Sequence, residues 1–241
     1  MAKPTYKELL DAGVHFGHLK KKWNPKMSPY IFMERKGIHI IDLNTTLQCL
    51  DTAAGAIKNI AKSGRKILFV ATKKQARDIV SKGAESVGMP HVTERWLGGM
   101  MTNFATIRRS VKKMHNIERM LADGSLESVT KKERLMLTRE YAKLNKVMGG
   151  ISNMNRIPSA VFIVDIAHEH IAIAESHKLG LRTFGIVDSN SDPNQVDYPI
   201  PGNDDASKSI EVLVNYIIDA VKEGLGERKQ HKAEKDAAAS A

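Results

Sequence analysis

The spacing of apolar positions changes along the chain, and its longest regular stretch is helical. Phe104, Ile107, Val111, Met114, Ile117 and Leu121 recur at steps of three and four, as do Leu137, Tyr141, Leu144, Met148 and Ile151. Such steps place each set on one side of a helix. Between them, Ala122-Asp123-Gly124-Ser125 has the chemistry of a helix stop and a turn. Two matched stripes parted by a tight reversal predict an antiparallel hairpin that buries its own seam. An arm of about 20 residues would reach about 30 Å. Its outward positions carry Arg108, Arg109, Lys112, Lys113 and Arg119, then Lys131, Lys132, Arg134, Arg139, Lys143 and Lys146.

On both sides of this stretch the apolar runs are shorter. Thr5 to Ala12 predicts a short helix, and Gly13 to Lys26, with its glycines, proline and four lysines, an irregular basic loop. Tyr30–Met33 and Ile38–Leu43 predict a hairpin leading into the first core strand. Asn44 or Thr45 then caps a helix carrying Leu47, Leu50, Ala54, Ile57 and Ile60. Lys66–Ala71 hardly alternates, as a parallel strand covered on both faces does not. Thr72 caps the next helix, to about Ser86, and His91–Arg95 is a weak strand. Past the hairpin come a strand at Ala160–Val164, a helix from His168 to Leu179, a strand at Thr183–Val187 and an amphipathic helix from Ser207 to Glu223.

Alternating strands and helices predict an α/β fold with a doubly wound parallel sheet. The hairpin enters between its third and fourth elements. The chain therefore divides into a basic N-terminal segment (1–36), a discontinuous α/β domain (37–102 and 151–226), a basic hairpin insertion (103–150) and a disordered tail (227–241).

Charge sharpens this division. The net charge is +10, yet the first 150 residues hold +15 and residues 151–226 hold −6. A cationic face points to a polyanion partner, the plainer alternative being a solubilising surface. The hairpin has few carboxylates for internal pairing, so its cations repel one another without a partner. Aromatic residues make up 5% of the chain, too few for a surface dominated by base stacking. The lone Cys49 allows no internal disulfide, no run is long enough to span a membrane, and the first residues lack a signal-peptide core. A cytoplasmic location is the expectation.

Candidate chemistry fails on spacing. Ala71-Thr72-Lys73-Lys74-Gln75 follows a strand but lacks the glycines that let a phosphate approach. Gly98-Gly99 is not followed by Lys-Ser or Lys-Thr. Asp188, Asn190 and Asp192 have calcium-loop spacing, but Pro193 and Pro199 stand where glycine and glutamate are needed. His15 and His18 lack further local ligands, even allowing for Asp188 or Asp204. His168-Glu169-His170 lacks a zinc-protease spacing. No catalytic constellation, cofactor or metal is expected.

Four motifs carry a resemblance. Asp11-Ala12-Gly13-Val14-His15-Phe16-Gly17-His18, Trp23-Asn24-Pro25-Lys26-Met27, Arg95-Trp96-Leu97-Gly98-Gly99-Met100 with Thr102-Asn103-Phe104, and Asp197-Tyr198-Pro199-Ile200-Pro201-Gly202-Asn203-Asp204-Asp205-Ala206 resemble the bacterial small-subunit ribosomal protein S-two family. The resemblance runs from about Tyr6 to Gly226. It implies a flavodoxin-like α/β domain with an inserted two-helix coiled-coil hairpin, and a non-enzymatic constituent of the small ribosomal subunit. The implied partners are small-subunit ribosomal RNA and neighbouring proteins, including the large OB-fold protein S-one; no homo-oligomer or membrane is implied. The residues expected at RNA are Lys20, Lys21, Lys22, Lys26, Arg95, Asn103, Arg108, Arg109, Lys112, Lys113, Lys131 and Lys132, and those expected at a protein partner are Asp188, Asp204 and Asp205. Two rivals are a phosphate-using α/β enzyme with a basic arm and a platform that recruits proteins through its acidic third.

Overall fold

The computed structural model describes residues 3–123 and 130–239, with side chains to residue 232. The turn expected at Gly124-Ser125 lies outside the described residues. Helix α1 (Tyr6–Asp11) opens with a capping box, in which Thr5 accepts from the Glu8 amide and Glu8 accepts from the Thr5 amide. Strands β1 (Phe16–Leu19), β2 (Ile31–Arg35) and β3 (Ile38–Ile41) form a small antiparallel sheet in the order β1-β3-β2. Lys36 and Gly37 join β2 to β3 at φ 52° and 77°, the left-handed pair that a two-residue hairpin turn requires. The boundary drawn at residue 36 thus falls inside a hairpin. Leu9 and Val14 are buried in the main core, so the N-terminal residues are part of the folded body.

Helix α2 (Leu43–Lys62) is capped by Asp42, before the expected Asn44 or Thr45; its carboxylate accepts from the Asn44 amide and the Thr45 hydroxyl. There follow β4 (Ile67–Val70), α3 (Arg77–Ser86), β5 (His91–Val92), α4 (Phe104–Ala122), α5 (Lys131–Met148), β6 (Ala160–Val164), α6 (His170–Lys178), β7 (Arg182–Val187), β8 (Tyr198–Pro201) and α7 (Ser207–Ala239). The parallel sheet has the order β5-β4-β6-β7-β8, with Phe69 level with Phe162 and Phe162 level with Phe184. Counting only its own strands this is 2-1-3-4-5, a doubly wound arrangement. Because β3 belongs to the other sheet, α4 and α5 lie between the second and third strands, not the third and fourth.

The unbroken apolar strands supply both faces of the sheet. Ile67, Phe69, Phe162, Phe184 and Ile200 pack with Leu50, Ile57, Val80, Leu213 and Ile217 of α2, α3 and α7. Leu68, Val70, Val161 and Ile163 belong to a second cluster with Met27, Met100, Met101, Ile107, Val111, Met148 and Ala172. The feet of α4 and α5 are therefore core of the α/β body. Higher on the pair, Met114 and Ile117 are buried on α4, while Leu137, Tyr141 and Leu144 of α5 are half-buried. Tyr141 donates to Glu118 across the pair at 3.0 Å, and Lys113 pairs with Glu140.

The expected disordered tail is helical here, since α7 runs to Ala239. Glu227 pairs with Lys58 at 2.7 Å and Lys62 at 2.9 Å on α2, which carries the helix past Gly226. The Lys, Gln and Ala residues beyond are good helix formers.

Candidate nucleic-acid interface

A doubly wound sheet offers a ligand crevice at the carboxyl ends of its strands. In this protein its own charges fill part of that crevice. Lys73, just after β4, reaches Asp165 at 2.8 Å, Asp204 at 2.6 Å and Asp205 at 2.7 Å, residues that follow β6 and β8. Burial opposes the charge on Lys73, but the three carboxylates outweigh it and raise its pKa. His18 of β1 lies on the same cluster, with Nδ1 3.0 Å from Asp188 and Nε2 3.3 Å from Asp205. Both ring nitrogens facing carboxylates is the geometry of a charged imidazolium, which has two donors. The hydrogen bond that His18 donates to Asp188 raises the His18 pKa against an opposing effect of burial. Asp204 is fully buried; burial and the neighbouring Asp165 and Asp188 push its pKa up to about 7.

A second carboxylate occupies the place a phosphate would take. Thr72, expected to cap a helix, instead donates its amide (2.8 Å) and hydroxyl to Glu169, and α3 starts five residues later. Among the described residues no group of three His, Cys, Asp or Glu side chains is placed to hold a metal.

The acidic residues expected at a protein partner are mostly internal. Asp188 and Asp204 are buried at 1% and 0% exposure, and only Asp205 reaches solvent. They are acidic because they hold Lys73 and His18 in place. The cations sort differently. Lys21, Lys22, Arg95, Arg109, Lys112, Lys131 and Lys132 are exposed, with no carboxylate partner among the described residues. Asn103 is exposed at the start of α4. Lys20 pairs with Glu34 (2.6 Å), Lys26 with Asp192 (2.7 Å) and Lys113 with Glu140. Arg108, expected to face outward, is half-buried and donates to the Met154 carbonyl at 3.1 Å. Met27, which follows the Lys20–Lys22 turn, packs in the same cluster as Ile107 and Val111 of α4.

The family model described as Ribosomal protein S2 matches residues 9–224. The chain belongs to that family. It is 60% identical over 230 residues to the small ribosomal subunit protein uS2 of Cytophaga hutchinsonii, covering 95% of this chain and 91% of the relative. The uS2 protein of Parabacteroides distasonis is 56% identical over 241 residues, covering 100% of this chain and 87% of the relative. That of Christiangramia forsetii is 60% identical over 227 residues, covering 94% and 76%. Membership in the S2 family makes this a structural protein and not an enzyme.

The sequence reading missed the residue that holds the arm's root. Glu175 of α6 is 7% exposed and accepts from Trp96 Nε1 (3.0 Å), the amides of Gly99 (2.7 Å), Met101 (3.0 Å) and Thr102 (3.0 Å), and the Thr102 hydroxyl (3.1 Å). Burial works against its ionisation, yet the amides of Thr102 and Met101, the Trp96 indole and the Gly99 amide outweigh it and lower its pKa. The Arg95–Thr102 motif of the S2 family is thus wrapped around one carboxylate that lies 73 or more residues away in sequence. Glu175 offered no local signal, because its partners are backbone amides of a loop.

Proposed function

We propose that this chain is a constituent of the small ribosomal subunit that binds small-subunit ribosomal RNA through a coiled-coil hairpin arm, α4 and α5, together with the Lys20–Lys22 turn. The observation that carries this reading is the set of exposed cations on α4 and α5 with no carboxylate partner among the described residues: Arg109, Lys112, Lys131 and Lys132. Their charge has no compensating partner among those residues, and a polyanion would neutralise it. They present guanidinium and ammonium groups with no base-reading geometry, and phosphate contact is the role they fit. Arg95 and Asn103 at the root extend the same surface, whereas Lys20, Lys26 and Lys113 are partly neutralised.

Co-sedimentation with small-subunit RNA tests the reading. Arg109→Ala with Lys112→Ala is expected to weaken binding about tenfold or more while the circular-dichroism melt stays unchanged. Undiminished binding by the folded double variant would remove the arm as the contact. Retention of protein S-one on the subunit is the second part of the proposal. It rests on the resemblance and on the negative last third, and with Asp188 and Asp204 buried its acidic contact reduces to Asp205. Asp205→Lys with S-one still retained and RNA binding intact would exclude that contact.

A further inference from the structure

At the point where the order of the parallel sheet reverses, between the loops after β4 and β6, there is a small pocket of about 260 Å³. It is lined by Thr72, Arg95, Trp96, His168, Glu169 and Ile171, with Arg77 and Glu94 behind. Three features define what fits. Its floor cannot take a phosphate. The Thr72 donors are engaged by Glu169, and Arg77 by Glu94 and the Thr72 carbonyl, so among the described residues neither Thr72 nor Arg77 is free to hold an anion there. Its rim is cationic and apolar. Arg95 is exposed without a carboxylate partner among the described residues, and Ile171 is 45% exposed beside the exposed His168. Its volume lies just below the roughly 300–1,000 Å³ of drug-sized ligand sites, which limits the occupant to one ring system.

We infer that this pocket receives a single unpaired base of the bound RNA, turned inward on the Ile171 and His168 wall with its phosphate held at the rim by Arg95. RNA-binding surfaces take splayed bases in this way, stacking them on apolar, aromatic or guanidinium planes and reading their edges by hydrogen bonds. A carboxylate is an acceptor only, and Glu169 meets Thr72 through Oε1 alone among the described residues, so the inward edge of the base is one that offers N–H donors. A backbone phosphate is repelled from the same floor and stays at Arg95. The pocket adjoins the Trp96–Thr102 turn that launches α4, so a strand following the arm passes its mouth. The inference rests on the RNA-binding reading above and adds a base-specific contact to its phosphate contacts.

The test uses small subunits assembled with the full-length chain. Base-specific chemical probes report the Watson–Crick edges of the RNA with the wild-type chain, with Ile171→Asp, with Arg95→Gln and with the Arg109→Ala, Lys112→Ala pair. Ile171 and Arg95 are exposed, so both single variants keep the fold, which the thermal midpoint checks; should one shift it, the other decides. The expected result is one nucleotide whose reactivity rises about fivefold or more in both Ile171→Asp and Arg95→Gln, with the chain still bound. Identical reactivity patterns in wild type and both variants would overturn the inference, including the case in which a protein fills the pocket. If the arm variant binds as well as wild type while the pocket variants expose a nucleotide, the arm reading fails and the pocket stands.

Discussion

Glu175 shows how one side chain fixes the geometry of an interface it does not touch. Five donors converge on its carboxylate, and three are backbone amides of the turn leading into α4. Glu175→Ala leaves those donors buried and unpaired, a loss of about 3 kcal/mol. The expected measurement is a lower denaturation midpoint together with faster amide exchange at Met101 and Thr102. The pH dependence follows from the direction of its shift. A carboxylate with a depressed folded pKa contributes its full stability above the ordinary value of 4.5 and loses it as pH falls through the lower folded value. Glu175→Gln is therefore expected to flatten the acid limb of the stability curve; an unchanged limb would show that the amides are satisfied in another way. Gly150 makes the complementary point at the far foot of the arm. A β-carbon there would run into the His91 carbonyl and ring, so Gly150→Ala should cost about 2 kcal/mol by forcing the foot of α5 off β5. Neither residue was legible in the sequence. Gly150 falls within the second apolar stripe of the hairpin and Glu175 within the helix expected from His168 to Leu179, and nothing in the sequence marks either. Both act through backbone groups of distant loops, and no periodicity records that.

At the scale of elements, the small antiparallel sheet is held to the large parallel one by a titrating joint. His18 of β1 spans Asp188 and Asp205, its amide donates to the Ser189 hydroxyl at 2.7 Å, and Asp204 sits beneath with one carboxylate oxygen unpartnered. Two raised pKa values act in one direction. His18 stabilises the joint fully below its ordinary 6.5, and this is lost as pH rises through its higher folded value. Asp204, pushed up to about 7, favours the folded state in its protonated form, and that preference, full below the ordinary 3.8, is lost as pH rises from there to about 7. Exchange of the β1 amides should therefore quicken between about pH 4 and 8 by more than the intrinsic rate accounts for, Asp204 acting in the lower part of that range and His18 in the upper. Asp204→Asn, which is neutral throughout, should remove the lower part of that extra change and leave the part that His18 contributes. Equal pH dependence in wild type and Asp204→Asn would show that Asp204 does not titrate there. Elements themselves were well foreshadowed. The helices of the arm, the buried strands β4, β6 and β7 and the hairpin β2–β3 all lie where periodicity and turn chemistry put them. What periodicity could not supply was pairing: nothing in Ile38–Ile41 distinguishes a strand of the parallel sheet from one of a separate sheet, and that displaced the insertion point by one strand.

For the whole molecule, net charge is a poor guide to the number of contacts, because pairing removes cations one by one. The first 150 residues carry +15, but Lys20, Lys26, Lys58, Lys73, Arg77, Lys113 and Lys146 all face carboxylates. If about six of the unpaired cations meet phosphates, the logarithm of RNA affinity should fall with the logarithm of salt at a slope of about −4 to −5. Neighbouring lysines on α4 make the sharper comparison. Lys112 is exposed and without a carboxylate partner among the described residues, whereas Lys113 pairs with Glu140 on α5. Each phosphate contact contributes about 0.7 to 0.9 to the slope, so Lys112→Ala should make it shallower by nearly one. Lys113→Ala removes a cation that is already neutralised and frees Glu140 to repel the strand. It should therefore lower affinity at low salt while leaving the slope nearly as it was, and the further change Glu140→Gln should restore the affinity. Equal slopes for the two lysine variants would mean that the Lys113–Glu140 pair opens on the RNA, and the phosphate contacts would then have to be counted from the sequence after all.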